Sequence, residues 1–264
     1  MTITLESKIT VNSKPVTYIP ALRFNHLTPF FDSFLKWAAK EETFKPELVK
    51  QARIQKNSRV LDLGCGTATL TILIKKMQPE AEVTGIDIDQ TVLEIAKEKA
   101  ARAGVDITLD LGTAFRLPYP DNYFDQVASS LMFHHLTREN KIRTLKEVLR
   151  VLNPNGQLHV ADLGKPQNAL MRLPSVFMGH LEESLDNVNG MLPKMFKIVG
   201  FEGVEETARI MTMFGTVSLY RGQKPPQNTK TVVVSSWTKS TTMEPLLIAM
   251  PAGFLSVEKK IRNK

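Results

Sequence analysis

Residues with the chemistry of a ligand site are concentrated between Val60 and Thr67, where an apolar run is interrupted by Asp62 and followed by Gly64-Cys65-Gly66. A continuous apolar run is typical of a parallel strand buried on both faces. The glycines allow the backbone to approach a ligand at the N-terminus of the next helix, where a small anionic group is favoured. A carboxylate beside the same loop suits a ligand that also carries an ammonium group.

S-adenosylmethionine fits this combination, because its methionine portion supplies a carboxylate for the helix N-terminus and an α-amino group for Asp62. A dinucleotide fits less well, because Thr69 replaces the third glycine of G-x-G-x-x-G and an acid would face the pyrophosphate. The next apolar run, 81–86, predicts a second strand ending at Asp87, where an acid can accept ribose hydroxyls. The alternative is that Asp62 and Asp87 only cap the following helices, with Asp89 competing for the second cap.

Further blocks of sequence follow in an order that identifies a family. They are VLDLGCGTATL at 60–70, VTGIDID at 83–89, FRLPYPDNYFDQV at 115–127, LMFHHL at 131–136 and EVLRVLNPNGQL at 147–158. On these blocks, over roughly residues 45–220, the chain resembles the class I S-adenosylmethionine-dependent methyltransferases. The resemblance is to the subgroup that contains the ubiquinone and menaquinone C-methyltransferases in particular.

The resemblance implies a set of cofactor-binding residues. Gly64, Cys65, Gly66 and Thr67 would line the methionine portion, with the carboxylate of Asp62 beside them. It also places Asp87 and Ile88 at the ribose and adenine, Ala114 and Phe115 at the adenine edge, and Ser130 and Leu131 near the sulfonium. Thr113 departs from the family, which usually has an acid there to receive the adenine amino group, so that contact passes to the Thr113 hydroxyl, to backbone, or is absent.

Methyl transfer is an in-line displacement that depends mainly on positioning. An oxygen or carbon nucleophile also needs a base near neutral pKa, and histidine is the natural candidate. His134 and His135 follow the fourth strand, where the family faces its substrate, and at most one of the two can serve. The alternative for each is a loop histidine that binds backbone, whereas His159 lies within a predicted strand and is predicted to be structural.

The substrate side is predicted from two regions. The insert, residues 165–200, is where the family varies to choose acceptors, and His180, Glu183 and Asn187 fall there at helical spacing on one face. That face could supply a base or orient an acceptor, or it could simply be solvated. In the aromatic N-terminal stretch, which forms a lid in the family, Tyr18 or His26 could touch the ligand, with aromatic packing as the alternative reading.

Apolar runs alternate with helical periodicity along the chain. They predict strands at 58–63, 82–87, 105–110 and 125–130, helices at 67–77, 90–103 and 141–152, and a turn at Asn153–Gly156 before a fifth strand. Runs at 203–210 and 212–220 predict a closing hairpin with one antiparallel strand. The predicted fold class is α/β: a doubly wound, mainly parallel seven-stranded sheet of the Rossmann-like methyltransferase fold, with an N-terminal helical lid and a C-terminal extension.

The domain organisation follows from composition and charge. We expect an N-terminal segment and lid at 1–44, a methyltransferase domain at 45–222 that includes the insert, and a basic extension at 223–264. The net charge of +7 is concentrated in that extension, with seven basic residues against two acids, so a nucleic-acid partner is not expected. The extension could contact an anionic membrane surface. The single cysteine and the lack of a long apolar stretch favour a cytoplasmic protein without a transmembrane segment.

We therefore expect an S-adenosyl-L-methionine-dependent methyltransferase that modifies an O, C or N atom of a small, partly apolar acceptor, with no metal. A different class of function is a noncatalytic cofactor-binding scaffold or activating subunit. A nucleic-acid methyltransferase is less favoured, because Ser129-Ser130-Leu131-Met132 replaces the N/D-P-P-Y/F motif after the fourth strand.

Overall fold

Seven strands form one sheet in the order β3-β2-β1-β4-β5-β7-β6. The computed structural model describes residues 40–168, 184–213, 215–227, 231–233 and 247–249. Its strands are β1 (Arg59–Leu63), β2 (Glu82–Asp87), β3 (Thr108–Leu111), β4 (Phe124–Ser130), β5 (Leu152–Leu163), β6 (Glu202–Thr212) and β7 (Gly215–Gln223). Two short strands, β8 (Thr231–Val233) and β9 (Leu247–Ala249), pair separately.

The helices in these ranges are α1 (Glu41–Ala52), α2 (Thr69–Met77), α3 (Gln90–Ala103), α4 (Arg138–Val151), α5 (Leu185–Val188) and α6 (Leu192–Val199). A 3₁₀ turn, Phe133–His135, precedes α4. None of the helices described is long and apolar enough to cross a membrane. The N-terminal boundary predicted between 44 and 45 falls inside α1.

Strands β1 to β5 are parallel, and β7 pairs antiparallel with both β5 and β6. The predicted fold class, with its closing antiparallel strand, is therefore confirmed. Strand β1 lies between β2 and β4, so the chain after β1 crosses to one side of the sheet and later returns to the other. In such a sheet, ligands bind at the carboxyl ends of the strands near the point where the order reverses.

Apolar burial explains why the sheet and helices hold together. Val60, Leu61 and Leu63 of β1 are fully buried, as expected for a strand covered on both faces. On α4, Leu145, Val148 and Val151 are completely buried, and their spacing of three residues places them on one face of the helix.

The structure differs from prediction at several element boundaries, among them the start of α4, three residues earlier than predicted, and the start of α2, two residues later. Strand β3 begins at Thr108, three residues later than predicted, because an exposed edge strand has a weaker apolar pattern. The Asn153–Gly156 turn lies inside β5 as an irregularity: β4 pairs with Leu152 and then with Gln157. Asn155 has a φ of 65° there, the left-handed conformation that asparagine tolerates. In the closing hairpin, β6 is longer than its apolar run, whereas β7 begins three residues later than predicted.

His159 lies within β5 and is fully buried, in agreement with its predicted structural role. Its Nδ1 lies 3.0 Å from Gln51 Nε2, and its Nε2 lies 3.0 Å from Gln126 Oε1. This arrangement suits a neutral ring that accepts at Nδ1 and donates at Nε2. Burial, with a smaller contribution from Arg221, lowers the pKa of His159 to about 3.

We predict that His159 makes the fold acid-sensitive. Below the unfolded-state pKa of about 6.5 the unfolded chain binds a proton that the folded ring excludes, so the free energy of unfolding falls by about 1.4 kcal/mol per pH unit. Urea denaturation followed by circular dichroism between pH 7 and 4.5 measures this slope. The slope should be shallower in His159→Gln by up to one proton, and equal slopes in the two proteins would contradict the prediction.

Candidate cofactor and acceptor site

A cavity of about 320 Å³ opens at the carboxyl ends of β1, β2 and β4. Its wall includes the loops that follow these strands, together with residues of α1 and the start of α4. Eleven predicted cofactor residues line it: Gly64, Cys65, Gly66, Thr67, Asp87, Ile88, Thr113, Ala114, Phe115, Ser130 and Leu131. The structure thus brings together residues that are up to 67 positions apart in the chain (131 minus 64).

The glycine loop turns sharply out of β1 because its backbone is held by the next strand. The N–H groups of Gly64 and Cys65 both donate to the Ile86 carbonyl, at 2.9 and 3.0 Å. Gly64 has a φ of +69°, and a Cβ added there would meet Met132 Cγ at 2.3 Å. A glycine is therefore required at 64, both for the turn and for the close approach of the loop after β4.

Asp87 ends β2 and holds the same loop. Its Oδ2 accepts the Gly66 N–H at 2.8 Å, and its Oδ1 accepts the Asp89 N–H at 3.0 Å. Asp89, in turn, caps α3 through Thr91 N–H. Asp87 is thus not the helix cap, and its oxygens retain lone pairs that face the cavity region.

Asp62 occupies a different place from the other predicted cofactor residues: it does not line the cavity. It is buried and accepts the Thr71 hydroxyl at 2.7 Å. Burial raises the pKa of Asp62 to about 6, against the lowering effects of Thr71 and Lys45. Its direct contact with a ligand ammonium stays a prediction.

Two charged residues of α1 line the cavity and were not predicted. Lys45 and Glu41 form an ion pair of 2.5 Å, one helical turn apart. Lys45 is almost fully buried, although it belongs to a residue type that is mostly exposed. A charged pair at i, i+4 is the usual pattern of a solvated helix face, so the sequence contained no distinguishing signal.

The loop after β3 contributes Thr113, Ala114 and Phe115 to the cavity. Arg143 of α4 lies over the Phe115 ring, 5.2 Å from its centroid. The loop is further held by α4 through Arg150, which donates to the carbonyls of Leu117 and Tyr119 at 3.0 and 2.7 Å. Thr113 lies in the wall and has no carboxylate to offer, and its carbonyl accepts the Arg116 N–H at 3.2 Å.

The loop after β4 shows a feature expected of a ligand-binding wall. Among the described residues, Ser130 Oγ is a buried polar atom with no hydrogen-bond partner. Leu131 follows with a φ of 54°, an unusual conformation for leucine. A ligand that hydrogen-bonds Ser130 would satisfy the orphan oxygen, and a Cβ built at Gly66 would meet no atom within 4 Å, so there is room beside the glycine loop.

The two adjacent histidines lie in different environments. His135 lines the cavity and is solvent-exposed. Desolvation of the ring by the surrounding protein, with a smaller contribution from neighbouring His134, lowers the pKa of His135 to about 4. His134 does not line the cavity, and its Nδ1 lies 2.9 Å from the buried Asp162 carboxylate. The geometry thus favours His135 as the histidine that meets a ligand.

The remaining predicted residues do not reach the cavity or lie outside the described ranges. Asn187 is completely buried on α5 and donates to Asp162 at 3.0 Å, so it does not line the cavity. Tyr18, His26, His180 and Glu183 lie outside the described residues. Their proposed contacts with the substrate stay predictions.

Further cavity residues missed by sequence reasoning come from the junction of β4 and α4. They are Met132, Leu136, Thr137 and Asn140. Only LMFHHL marked this region, and the motif did not show which of its side chains face inwards. Within the part of the chain that the structure describes, no three His, Cys, Asp or Glu residues are grouped in a way that could hold a metal ion.

Comparison with known proteins agrees with this geometry. The family model described as "Methyltransferase domain" matches residues 60–156. A demethylmenaquinone methyltransferase of Symbiobacterium thermophilum is 31% identical over 216 residues, which are 71% of this chain and 84% of that protein.

Two solved structures share the fold. One, an S-adenosylmethionine-dependent methyltransferase from Aquifex aeolicus, is 18% identical with a TM-score of 0.55, and the match covers 75% of this chain and 100% of that one. The other, a Haemonchus contortus phosphoethanolamine N-methyltransferase, was solved with phosphomonomethylethanolamine and S-adenosylhomocysteine. It is 16% identical with a TM-score of 0.58, over 69% of this chain and 52% of that one.

The chain belongs to the class I S-adenosylmethionine-dependent methyltransferases, of the quinone C-methyltransferase type. It is an enzyme that transfers a methyl group from S-adenosylmethionine to a small-molecule acceptor. The prediction of enzyme and cofactor is confirmed, and the scaffold alternative is not supported.

The Cys65 thiol allows a test of whether this loop takes part in covalent chemistry. Burial, with the nearby Asp62 and Asp87 carboxylates, raises the pKa of Cys65 well above its ordinary value. Since only the thiolate is a strong nucleophile, we predict that iodoacetamide modifies the folded protein at least about tenfold more slowly than a free cysteine at pH 8.5. Mass spectrometry measures the rate, and the urea-unfolded chain, with its single cysteine, is the control. Rapid labelling of the folded protein would contradict the prediction.

Proposed function

We propose that the enzyme methylates a ring carbon of a reduced naphthoquinone, and that His135 is the proton acceptor. The observation that carries this proposal is the position of His135 in the wall of a cavity that also contains the predicted cofactor residues. The relative named demethylmenaquinone methyltransferase supports the acceptor class. The apolar wall residues Leu131, Met132, Leu136 and Phe115 support an acceptor with a large apolar surface.

The residues proposed to hold the cofactor divide into three groups. The glycine loop, with backbone N–H groups at the start of α2, would receive the methionine carboxylate. Lys45 and Glu41, which face the same cavity, add one charge of each sign for the zwitterionic methionine end. Asp87 would accept the ribose hydroxyls, and Thr113 to Phe115 would border the adenine. S-adenosylmethionine supplies the methyl group on an electrophilic sulfonium.

The role of the remaining wall is to orient the acceptor and exclude water. A quinol carbon becomes a better nucleophile when an adjacent hydroxyl loses its proton, and the neutral His135 ring has a lone pair to take it. Thr137 and Asn140 are polar wall residues at the N-terminus of α4, which directly follows the turn that contains His135. They can therefore orient the acceptor oxygens. Positioning supplies the larger part of the rate, because the displacement itself needs no covalent help from the protein.

The setting of the reaction is also part of the proposal. A single cysteine suits the cytoplasm, and the basic residues of 223–264 suit a peripheral contact with an anionic membrane, in which a prenylated quinone resides. The division into a lid at 1–44, a catalytic domain at 45–222 and an extension at 223–264 remains a proposal.

We predict that Asp87→Ala weakens binding of S-adenosylhomocysteine by about 1 to 3 kcal/mol. The ribose hydroxyls of the ligand would lose a charged acceptor, and the glycine loop would lose the carboxylate that accepts its Gly66 N–H. Calorimetric titration measures this change. Asp89→Ala is the matched control. Asp89 is a neighbouring carboxylate that caps α3 but does not line the cavity, so its removal should leave the affinity unchanged. Equal losses in both variants would show that Asp87 acts only through stability.

We predict that methyl transfer to a short-chain demethylnaphthoquinol depends on His135. His135→Gln should lower kcat by about 10²- to 10⁴-fold, the range for losing a general base, while calorimetry shows unchanged S-adenosylhomocysteine affinity. In the wild-type enzyme, kcat/KM should stay level as pH falls to about 5 and decline only near the His135 pKa of about 4, because only the neutral ring accepts a proton.

A His135→Gln enzyme that turns over at the wild-type rate would overturn this assignment. An acid limb near pH 6.5 would contradict only the lowered pKa of His135, because a histidine of ordinary pKa still accepts a proton at neutral pH. Binding of S-adenosylhomocysteine without transfer to the quinol in the wild type would reject the acceptor class and leave the cofactor site standing. NADH, titrated in parallel, serves as the negative control.

A further inference from the structure

A buried carboxylate lies directly behind the cavity wall and is not accounted for by cofactor binding. Asp162, the second-last residue of β5, has no solvent-exposed surface. Its Oδ2 accepts the Phe133 N–H at 2.8 Å, and its Oδ1 accepts the Leu163 N–H at 2.7 Å. Oδ1 also lies 2.9 Å from His134 Nδ1 and accepts Asn187 Nδ2 at 3.0 Å.

All four partners of Asp162 meet it as hydrogen-bond donors, so the site requires an acceptor at both side-chain oxygens. Burial on its own would raise the pKa of this carboxyl, but His134 and the backbone N–H groups hold it below its usual value. An asparagine would turn an NH₂ group towards Phe133 N–H or towards the other three donors. The carboxylate is therefore specifically matched to its surroundings.

The bonds from Asp162 determine the state of His134. Since a carboxylate only accepts, His134 must carry a proton on Nδ1, which fixes its ring orientation. The His134 and His135 rings lie against each other, with centroids 4.0 Å apart. Asp162 also holds the backbone at Phe133, the first residue of the turn that bears both histidines. The orientation of His135 in the cavity wall thus depends on Asp162 through two separate contacts.

The bond to Asn187 extends this arrangement to the insert. Helix α5, which lies in the insert, is joined to the turn by Asn187 and Asp162. The same helix is also joined to α4, because Asp186 of α5 pairs with Arg138 of α4. The insert and the histidine turn therefore share one buried anchor.

We propose that Asp162 is a positioning residue for methyl transfer: it fixes the Nδ1–H form of His134 and holds His135 in the cavity wall, and it couples that wall to the insert through Asn187. The proposal rests on the proposed function in taking His135 as the proton acceptor.

The test compares Asp162→Asn with the wild type by nitrogen NMR of histidine-labelled protein, in the presence and absence of S-adenosylhomocysteine. In the variant, the His134 signals should change because its Nδ1–H loses a charged acceptor, and the His135 signals should shift with them. With the demethylnaphthoquinol, kcat should fall by about 10- to 100-fold, the loss expected when a catalytic group is misplaced. The S-adenosylhomocysteine affinity should stay within about twofold of the wild-type value.

Asp125→Asn is the matched control. Asp125 is also a strand carboxylate that accepts a backbone N–H and a side-chain amide, from Arg59 and Asn153, but it lies towards the start of β4, away from the cavity. It should change stability without changing the histidine signals or kcat. Equal kinetic losses in the two variants would reduce Asp162 to a structural residue.

A second variant, Asn187→Ala, removes one donor and leaves the other three, so it provides the test if Asp162→Asn does not fold. It should shift the His134 signals and lower kcat/KM by about threefold to tenfold, as expected for one lost hydrogen bond. An unchanged His134 spectrum in either folded variant would overturn the proposal. The NMR result does not require turnover, so failure of the quinol as an acceptor remains distinguishable from failure of the positioning role.

Discussion

Backbone N–H groups in the loops after the parallel strands have no place in the sheet ladder, and the structure depends on how they are satisfied. The answer is the same at each loop: the neighbouring strand supplies an acceptor. Ile86 O receives Gly64 and Cys65 N–H, and Ala161 O receives Leu131 N–H. At two further positions the acceptor is a carboxylate: Asp87 accepts the Gly66 N–H and Asp162 accepts the Phe133 N–H. A buried unsatisfied N–H costs about 1 to 3 kcal/mol, so each of these acceptors fixes the path of its loop.

Two aspartates buried to the same extent have opposite pKa shifts because they have different numbers of donors. Asp62 accepts from a single donor residue, Thr71, among the described residues, and burial raises its pKa to about 6. Asp162 has four, and its pKa is held below the usual value. Burial penalises the charged form in both cases, and only a full set of hydrogen bonds compensates for it. The carboxylate with the lowered pKa is therefore the one beside the histidines, where its negative charge can stabilise a proton taken up by the wall.

The fold was predictable because its core elements have strong patterns, and the meeting of the predicted cofactor residues at one cavity followed from it. Strand β2 and helix α3 match their predicted bounds, since an apolar run and a capped amphipathic helix mark them. The exposed edge strand β3 has no such pattern and was misplaced by three residues. Glycines and acids directly after strands must meet at one edge of a parallel sheet. Lys45, Glu41 and Asn140 could not be predicted, because their approach to the cavity results from how α1 and α4 pack on the sheet.

The two proposed halves of the cavity also differ in the parts of the protein that form them. The cofactor half is built largely from backbone and from residues adjacent to strand ends, with Ala68 and Leu131 in left-handed conformations that the surrounding hydrogen bonds impose. The proposed acceptor half is built from side chains of the loop after β4 and the start of α4, which can vary without altering that backbone. A change of acceptor is therefore possible while the cofactor loops stay intact. Asp162 limits this freedom, because its carboxylate binds the histidine turn and Asn187 of the insert at once, so a new insert must still present a donor to it.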